Sequence, residues 1–311
     1  MIIKHRKIFY AISGILVISS LLAIVVWGLK PGTDFTGGSL LEVEYKGTRP
    51  EVSFVQNSLS SLNIGNVAVQ PTGDKGFILR FKNVTEEEHQ LVLSALSAGK
   101  STDLPAVPTS GQAGEVLTQK RFDSIGPVIG KELTRRAWMA IVLVSVVIII
   151  FIAIAFRKVS KPVSSWVYGA AAVLALIHDV TIPAGFFAVL GHFKGVEVDI
   201  LFVSALLTIL GFSVQDTIVV FDRTRENLKR GGGVKPFEET VNTSLTQVAG
   251  RSLKTSLTII FVLLSLLFFG GETTKYFALT LTLGMVFGAY SSIFLASPIL
   301  VSWYKWKNNR K

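Results

Sequence analysis

Six long apolar runs constrain this chain more than anything else in it. They lie at about Ile8–Leu29, Ala137–Phe156, Val163–Leu190, Ile200–Phe221, Leu253–Phe269 and Tyr276–Trp303. About 20 apolar residues cross a bilayer as one helix, and backbone groups inside the hydrocarbon must be satisfied within the segment. The runs therefore predict an α-helical membrane protein with six transmembrane helices. Half of the 311 residues are hydrophobic and the mean hydropathy is +0.52, more apolar than a soluble chain of this length. The first run follows Lys4, His5, Arg6 and Lys7. It is longer than a signal-peptide core and has no small-residue cleavage site after it, so it reads as an uncleaved anchor.

The net charge of +10 would suit a nucleic-acid binder, but its placement assigns it to the membrane. Lys4–Lys7, Arg157-Lys158 with Lys161, Arg223–Lys235 and Lys305–Lys311 all fall on one face. The loops opposite, Gly191–Asp199 and Gly270–Lys275, hold one lysine each and three acids between them. Positively charged loops stay inside, so both termini and the two basic loops are expected in the cytoplasm, with the lipid bilayer and no nucleic acid as partner. The domain plan becomes residues 1–29 as N-terminus and first span, and 30–136 as an outer domain. Residues 137–303 form spans two to six with a cytoplasmic loop at 222–252, and 304–311 a basic tail. The absence of cysteine excludes disulfides, Cys-based zinc sites and thiol catalysis.

The outer segment, Lys30–Arg136, reads as a small α+β domain between the first two spans. Leu40–Tyr45 alternates like a strand, Glu51–Leu62 suits a helix, and Val67–Gln70 and Phe77–Phe81 read as strands. Thr85 with Glu88 forms a capping-box pattern opening a helix to Ala98. Gly99–Gly114 reads as a loop and Val116–Ile125 as a last strand. His89 is expected at a solvated helix position. Gly231-Gly232-Gly233 lacks the residues and spacing of a phosphate loop and reads as a hinge, with an interfacial helix starting at Pro236.

Polar residues inside the spans point to function. Asp216, preceded by Gln215, sits in the inner third of the fourth span, where an ionisable group costs roughly 3 kcal/mol and is a functional candidate by default. Ser204, Thr208, Gly211 and Gln215 align at helical spacing, with Asp216 at the edge of the stripe. Ser244, Gln247, Arg251, Thr255 and Thr258 align likewise on the fifth span, and Arg251 enters the membrane at about the depth of Asp216. An acid and an arginine at one depth lower each other's burial cost. Against this stands Arg251 snorkelling to headgroups, as Lys254 is expected to do. Asp179, on a face with Ala175, Ala172 and Tyr168, reads equally as an ion-pathway residue or a helix-holding acceptor; His178 points elsewhere and reads as structural. Thr280, Gly284, Gly288 and Ser292 form a packing seam. A bilayer favours the neutral carboxyl and a guanidinium the ionised one, so a movable partner switches Asp216 between proton-loaded and empty states.

Five motifs then carry a family resemblance. They are Gly32-Thr33-Asp34-Phe35-Thr36-Gly37-Gly38, then Ser124–Pro127 with Gly130–Leu133, Ala175–Val180, Gly211–Arg223, and Ser291–Phe294. In this order along six spans, the chain resembles the SecF branch of the SecD/SecF family, Sec translocon accessory subunits of the RND (resistance–nodulation–division) superfamily. The resemblance implies an RND-type half that is not an enzyme and has no cofactor beyond the proton gradient. It also implies a SecD partner, association with the SecYEG channel and YajC, and release of preproteins on the outer side of the bacterial inner membrane. Asp216 and Arg251 match the family's proton path, Asp179 a further motif acid, and Asp34, Phe35, Gly37 and Gly38 the hinge of the outer domain. Gln215 stands where Asn is usual, and Ala249-Gly250-Arg251-Ser252 where Ser-Arg-Thr is common. The rival readings are an intramembrane aspartyl protease, whose Gly-x-Gly-Asp signature is absent, a lipid- or drug-transporting RND half, and an inert Asp216–Arg251 clasp.

Overall fold

The computed structural model describes residues 2–98, 116–156, 162–230 and 235–309. After a 3₁₀ turn at Ile2–His5 come α1 (Arg6–Trp27), α2 (Thr33–Thr36), β1 (Gly38–Tyr45) and α3 (Val52–Leu59). Then follow β2 (Ala68–Thr72), β3 (Gly76–Phe81), α4 (Glu86–Ala98), β4 (Leu117–Ile125) and α5 (Pro127–Phe156). The chain continues with α6 (Ser165–Lys194), α7 (Ile200–Arg230), α8 (Phe237–Phe269) and α9 (Glu272–Ser291). A π-helical turn at Ser292–Ala296 leads to α10 (Ser297–Asn308). Six of these helical stretches are long and apolar enough to cross a membrane, the last running from Thr274 through the π-turn to Asn308. The chain divides into two units, residues 31–137 and residues 1–30 with 138–311.

The smaller unit is a four-stranded antiparallel sheet in the order β2-β3-β1-β4. Alternation puts Leu41, Val43 and Tyr45 of β1 and Phe77 and Leu79 of β3 on one buried face. Val55 and Leu59 of α3 and Val92 and Leu96 of α4 cover that face. At the start of α4 the Glu88 amide donates to Thr85 Oγ1 at 3.4 Å and the Thr85 amide to Glu88 Oε2 at 2.9 Å, the expected capping box. His89 departs from expectation: it is 3% exposed, stacks on Phe122 with centroids 3.7 Å apart, and bonds Gln119 at 3.0 Å. An imidazole has an apolar face and two polar ends: β4 supplies Phe122 for the face and Gln119 for Nε2, and Glu86 of α4 meets Nδ1 at 3.2 Å.

In the larger unit α6, α7 and α9 form the buried centre, with α1 against α6. Small residues set the close approaches. A Cβ at Gly185 would lie 2.4 Å from Ser20 Cα of α1, and one at Gly284 would lie 2.2 Å from Ile209 of α7. Phe156, Tyr168 and Phe221 close one end as a stacked pair with an edge-on third ring.

Two boundaries differ from the sequence reading. The charged residues after Phe221 remain helical to Arg230, because Glu226 pairs with Arg223 at 2.5 Å and with Arg230 at 2.7 Å along the same helix. The helix expected at Pro236 is continuous with the fifth span as α8. The loop at Gly99–Gly114 and the glycine hinge at Gly231–Gly233 lie outside the described residues.

Candidate functional site

Helix α7 separates two polar centres. The first is enclosed. Asp179 of α6 is 0% exposed, and its Oδ2 accepts from Ser213 of α7 at 2.5 Å and from Ser291 of α9 at 2.7 Å. Its Oδ1 meets His178 Nδ1 at 2.8 Å. One turn on, Thr217 Oγ1 and Ser292 Oγ are 3.0 Å apart, both buried. Gly288 packs against this cluster, and a Cβ there would lie 3.6 Å from Asp179 Oδ2, in ordinary contact. Three spans are thereby joined through one carboxylate with every bond donated to it. Sequence reasoning set His178 apart from Asp179 by helical angle. The ring instead turns back along the helix onto its neighbour, a rotamer choice that spacing does not reveal.

The second centre lies on an outer face of α7 and α8. Asp216 is half-buried and accepts from Ser256 Oγ of α8 at 3.3 Å; Ser252, buried one turn earlier, lies beside the same carboxylate without closing a bond. Gln215 and Arg251 are exposed, and neither side chain has a partner among the described residues. The antiparallel pairs Asp216–Ser256, Arg223–Gln247 and Asn227–Ser244 fix the register of the two helices. They put residue 251 opposite about residue 220, so Arg251 lies about one turn nearer the basic end than Asp216. The structure brings Asp216 to Ser256, with Arg251 offset from it by about one turn along the helix pair.

At the basic end, Gln247 accepts from Arg223 at 2.7 Å and from Asn227 at 2.8 Å, tying the extended end of α7 to α8. Glu238 at the start of α8 pairs with Arg6 at 3.2 Å and with Lys305 of α10. No group of three or more His, Cys, Asp or Glu side chains among the described residues is arranged to hold a metal.

The motif at Asp34, Phe35, Gly37 and Gly38 forms the short α2 and the step into β1. Gly37 and Gly38 have φ of +75° and +133°, a region that side-chain-bearing residues rarely adopt. A Cβ on Gly37 would sit 2.8 Å from Pro127 Cα, and one on Gly130 would sit 2.8 Å from the Gly37 nitrogen. The two motifs, separate in sequence, are one contact between backbones. Thr134 adds a hydrogen bond to the Phe35 carbonyl at 3.4 Å.

The chain is similar to known proteins over nearly its whole length. Residues 109–306 match the family described as protein export membrane protein SecD/SecF, C-terminal, and residues 23–48 match the SecD/SecF GG motif. Protein translocase subunit SecF of Thermobaculum terrenum is 40% identical over 314 residues, covering 97% of this chain and 93% of its own. The subunit of the same name in Anaerolinea thermophila is 37% identical, covering 99% and 96%. Among solved structures, SecDF from Thermus thermophilus superposes with a TM-score of 0.80 at 30% identity over 97% of this chain. This chain spans 38% of the length of that one.

Proposed function

Because this chain belongs to the SecD/SecF family of protein export membrane proteins, we propose that it is a SecF-type accessory subunit of Sec protein export. In that role it is a multi-pass membrane transport subunit and not a catalyst. The observation that carries the finer reading is the outer face of α7 and α8. Ser204, Thr208, Gln215, Arg251, Thr255 and Thr258 are all exposed there, along helices otherwise made for hydrocarbon. Polar groups and an arginine facing lipid are costly, so a second helical bundle belongs against this face. A SecD subunit is the partner we assign to it.

Proton motive force drives the work in this reading, since one charge crossing 100 mV is worth about 2.3 kcal/mol. Asp216 is the carboxyl that loads and releases the proton at the SecD-facing surface. Arg251, about one turn away and without a partner among the described residues, is the movable counter-charge: its approach favours the ionised carboxylate and its retreat the neutral acid. Gln215 donates at the same face, and Asp179 is the buried acid that links proton state to the packing of three spans. The contact between Gly37 and the start of α5 is the hinge through which the outer domain moves a preprotein emerging from SecYEG, with YajC as a further associate. Both termini and the basic segments face the cytoplasm of the bacterial inner membrane, as the clustering of Lys and Arg favours.

The chain has no cysteine, which makes the partner surface directly testable. Cysteine at Thr208, oxidised in native membranes against a cysteine series in SecD, is expected to form a disulfide, while cysteine at lipid-facing Leu143 is not. Thr208 free of any SecD cross-link, in membranes where the two subunits co-purify, contradicts this arrangement.

A further inference from the structure

His178 and Ser13 hold the two buried polar atoms that the bundle leaves over at this level. His178 is 2% exposed and Ser13 4% exposed, and neither His178 Nε2 nor Ser13 Oγ has a hydrogen-bond partner among the described residues. In a membrane interior such groups are costly to leave unmet. They are also neighbours in register. Gly185 of α6 rests on Ser20 of α1, and both His178 and Ser13 lie two turns before that contact on parallel helices. Tyr290 bridges the same two elements: its ring stacks on His178 with centroids 6.0 Å apart, and its hydroxyl donates to the Phe9 carbonyl at 3.1 Å.

That last bond takes one of the carbonyls Ser13 could use. Serines and threonines in these spans commonly donate back to a carbonyl of their own helix, as Ser19, Ser204 and Thr208 do. The carbonyl four residues before Ser13 is that of Phe9, and Tyr290 occupies it. Ser13 Oγ is buried with its proton uncommitted among the described residues. On the other side, Asp179 draws the Nδ1–H of His178 at 2.8 Å, which leaves the Nε2 lone pair outward in the neutral ring.

We propose that His178 Nε2 and Ser13 Oγ hold one bound water between the first and third spans, and that this water is the entry point for a proton to the His178–Asp179 pair. The water donates to Nε2 and accepts from Ser13, with the Tyr290 oxygen available as a further acceptor, which meets the two to four polar partners a buried water needs. A proton delivered through it bonds Nε2 and makes an imidazolium against the Asp179 carboxylate; its return to water restores the neutral ring. The titratable groups facing His178 are Asp179 on its own helix and Tyr290 from α9. The first span carries no charged residue between Lys7 and Lys30, so α1 contributes only the Ser13 hydroxyl. His178 is a positioning and proton-holding residue here. The water site stands on packing alone; the use of its proton rests on the export reading above.

The test is nitrogen NMR of the full chain with SecD in lipid bilayers, with histidine side chains labelled and His178 assigned by loss of its signals in His178→Gln. The expected spectrum has His178 Nε2 unprotonated and accepting a hydrogen bond at neutral pH. Ser13→Ala removes a hydroxyl without adding bulk; it is expected to displace the Nε2 resonance, and Ser13→Thr to restore it. An Nε2 signal that ignores Ser13→Ala, or a neutral ring whose proton sits on Nε2, overturns the proposal. Export by Asp216→Asn cells reports on the proton reading independently, so the two failures are separable.

Discussion

Ser213 and Asp216 lie three residues apart on α7 and face different partners. Ser213 donates to the enclosed Asp179 at 2.5 Å, whereas Asp216 is half-buried and bonds Ser256 of α8 at 3.3 Å. One helix thus carries a donor to the carboxylate that ties three spans together and, one turn on, a half-buried carboxyl of its own. The first is rigid by construction, with three donors from three spans. The second has one long hydrogen bond, and Arg251, which has no partner among the described residues, is offset from it by about one turn.

Removing either hydroxyl from Asp179 leaves a buried acceptor short of a donor, which costs about 1–3 kcal/mol. Ser213→Ala and Ser291→Ala are each expected to lower resistance to unfolding in mixed detergent micelles by that amount. Their double variant is expected to depart from additivity, because both bonds end on Oδ2. Additive losses of a few tenths would mean that the cluster holds nothing.

Gly130→Ala forces a methyl to 2.8 Å from the Gly37 nitrogen and 2.9 Å from the Phe35 carbonyl oxygen. Overpacking against backbone costs typically 1–3 kcal/mol. The variant is expected to be proteolysed faster near residues 33–38 than the parent. Gly126→Ala, with open space at its Cβ, is the control and is expected to behave as the parent.

Glu238 lies between Arg6 and Lys305. Its side chain is 33% exposed, so Glu238→Gln is expected to cost no more than about 1 kcal/mol and to lose its effect at high salt. Thermal inactivation of the purified complex at low and high ionic strength measures this. A salt-independent loss would mean that Glu238 acts through packing.

Tyr45 in the smaller unit is 1% exposed, and burial pushes its phenol up to about 12. The neutral form is the one the fold favours. Its contribution is therefore fully present below the ordinary value of about 10 and is lost as pH rises through about 12. Alkaline unfolding followed by tyrosinate absorbance is expected to lose a component in that window in Tyr45→Phe. An unchanged alkaline limb would contradict the assignment.

Much of this fold was legible in the sequence. Apolar runs, the alternation in Leu40–Tyr45 and Phe77–Phe81, and the Thr85–Glu88 cap each report a local energy that the tertiary structure does not override. What was hidden depends on side-chain rotamers and on partners distant in sequence. His89 looked solvated because its partner Gln119 is thirty residues away. The pairing of His178 with Asp179 is a rotamer effect, and Tyr290 takes one of the carbonyls Ser13 could use. Asp216 and Arg251 were visible as charges inside apolar helices, but their offset of about one turn comes from the register of α7 against α8.

The central claim is that Asp216 couples proton flow to export. The most direct measurement is export of a reporter preprotein, with and without proton motive force, in cells carrying Asp216→Asn, with chain level and SecD association monitored. The account predicts that the complex stays intact while export falls to the rate of force-depleted cells and stops responding to the force. Export that remains as fast and as force-dependent as in the parent would contradict it, and Asp216 would then be a packing residue without a part in coupling.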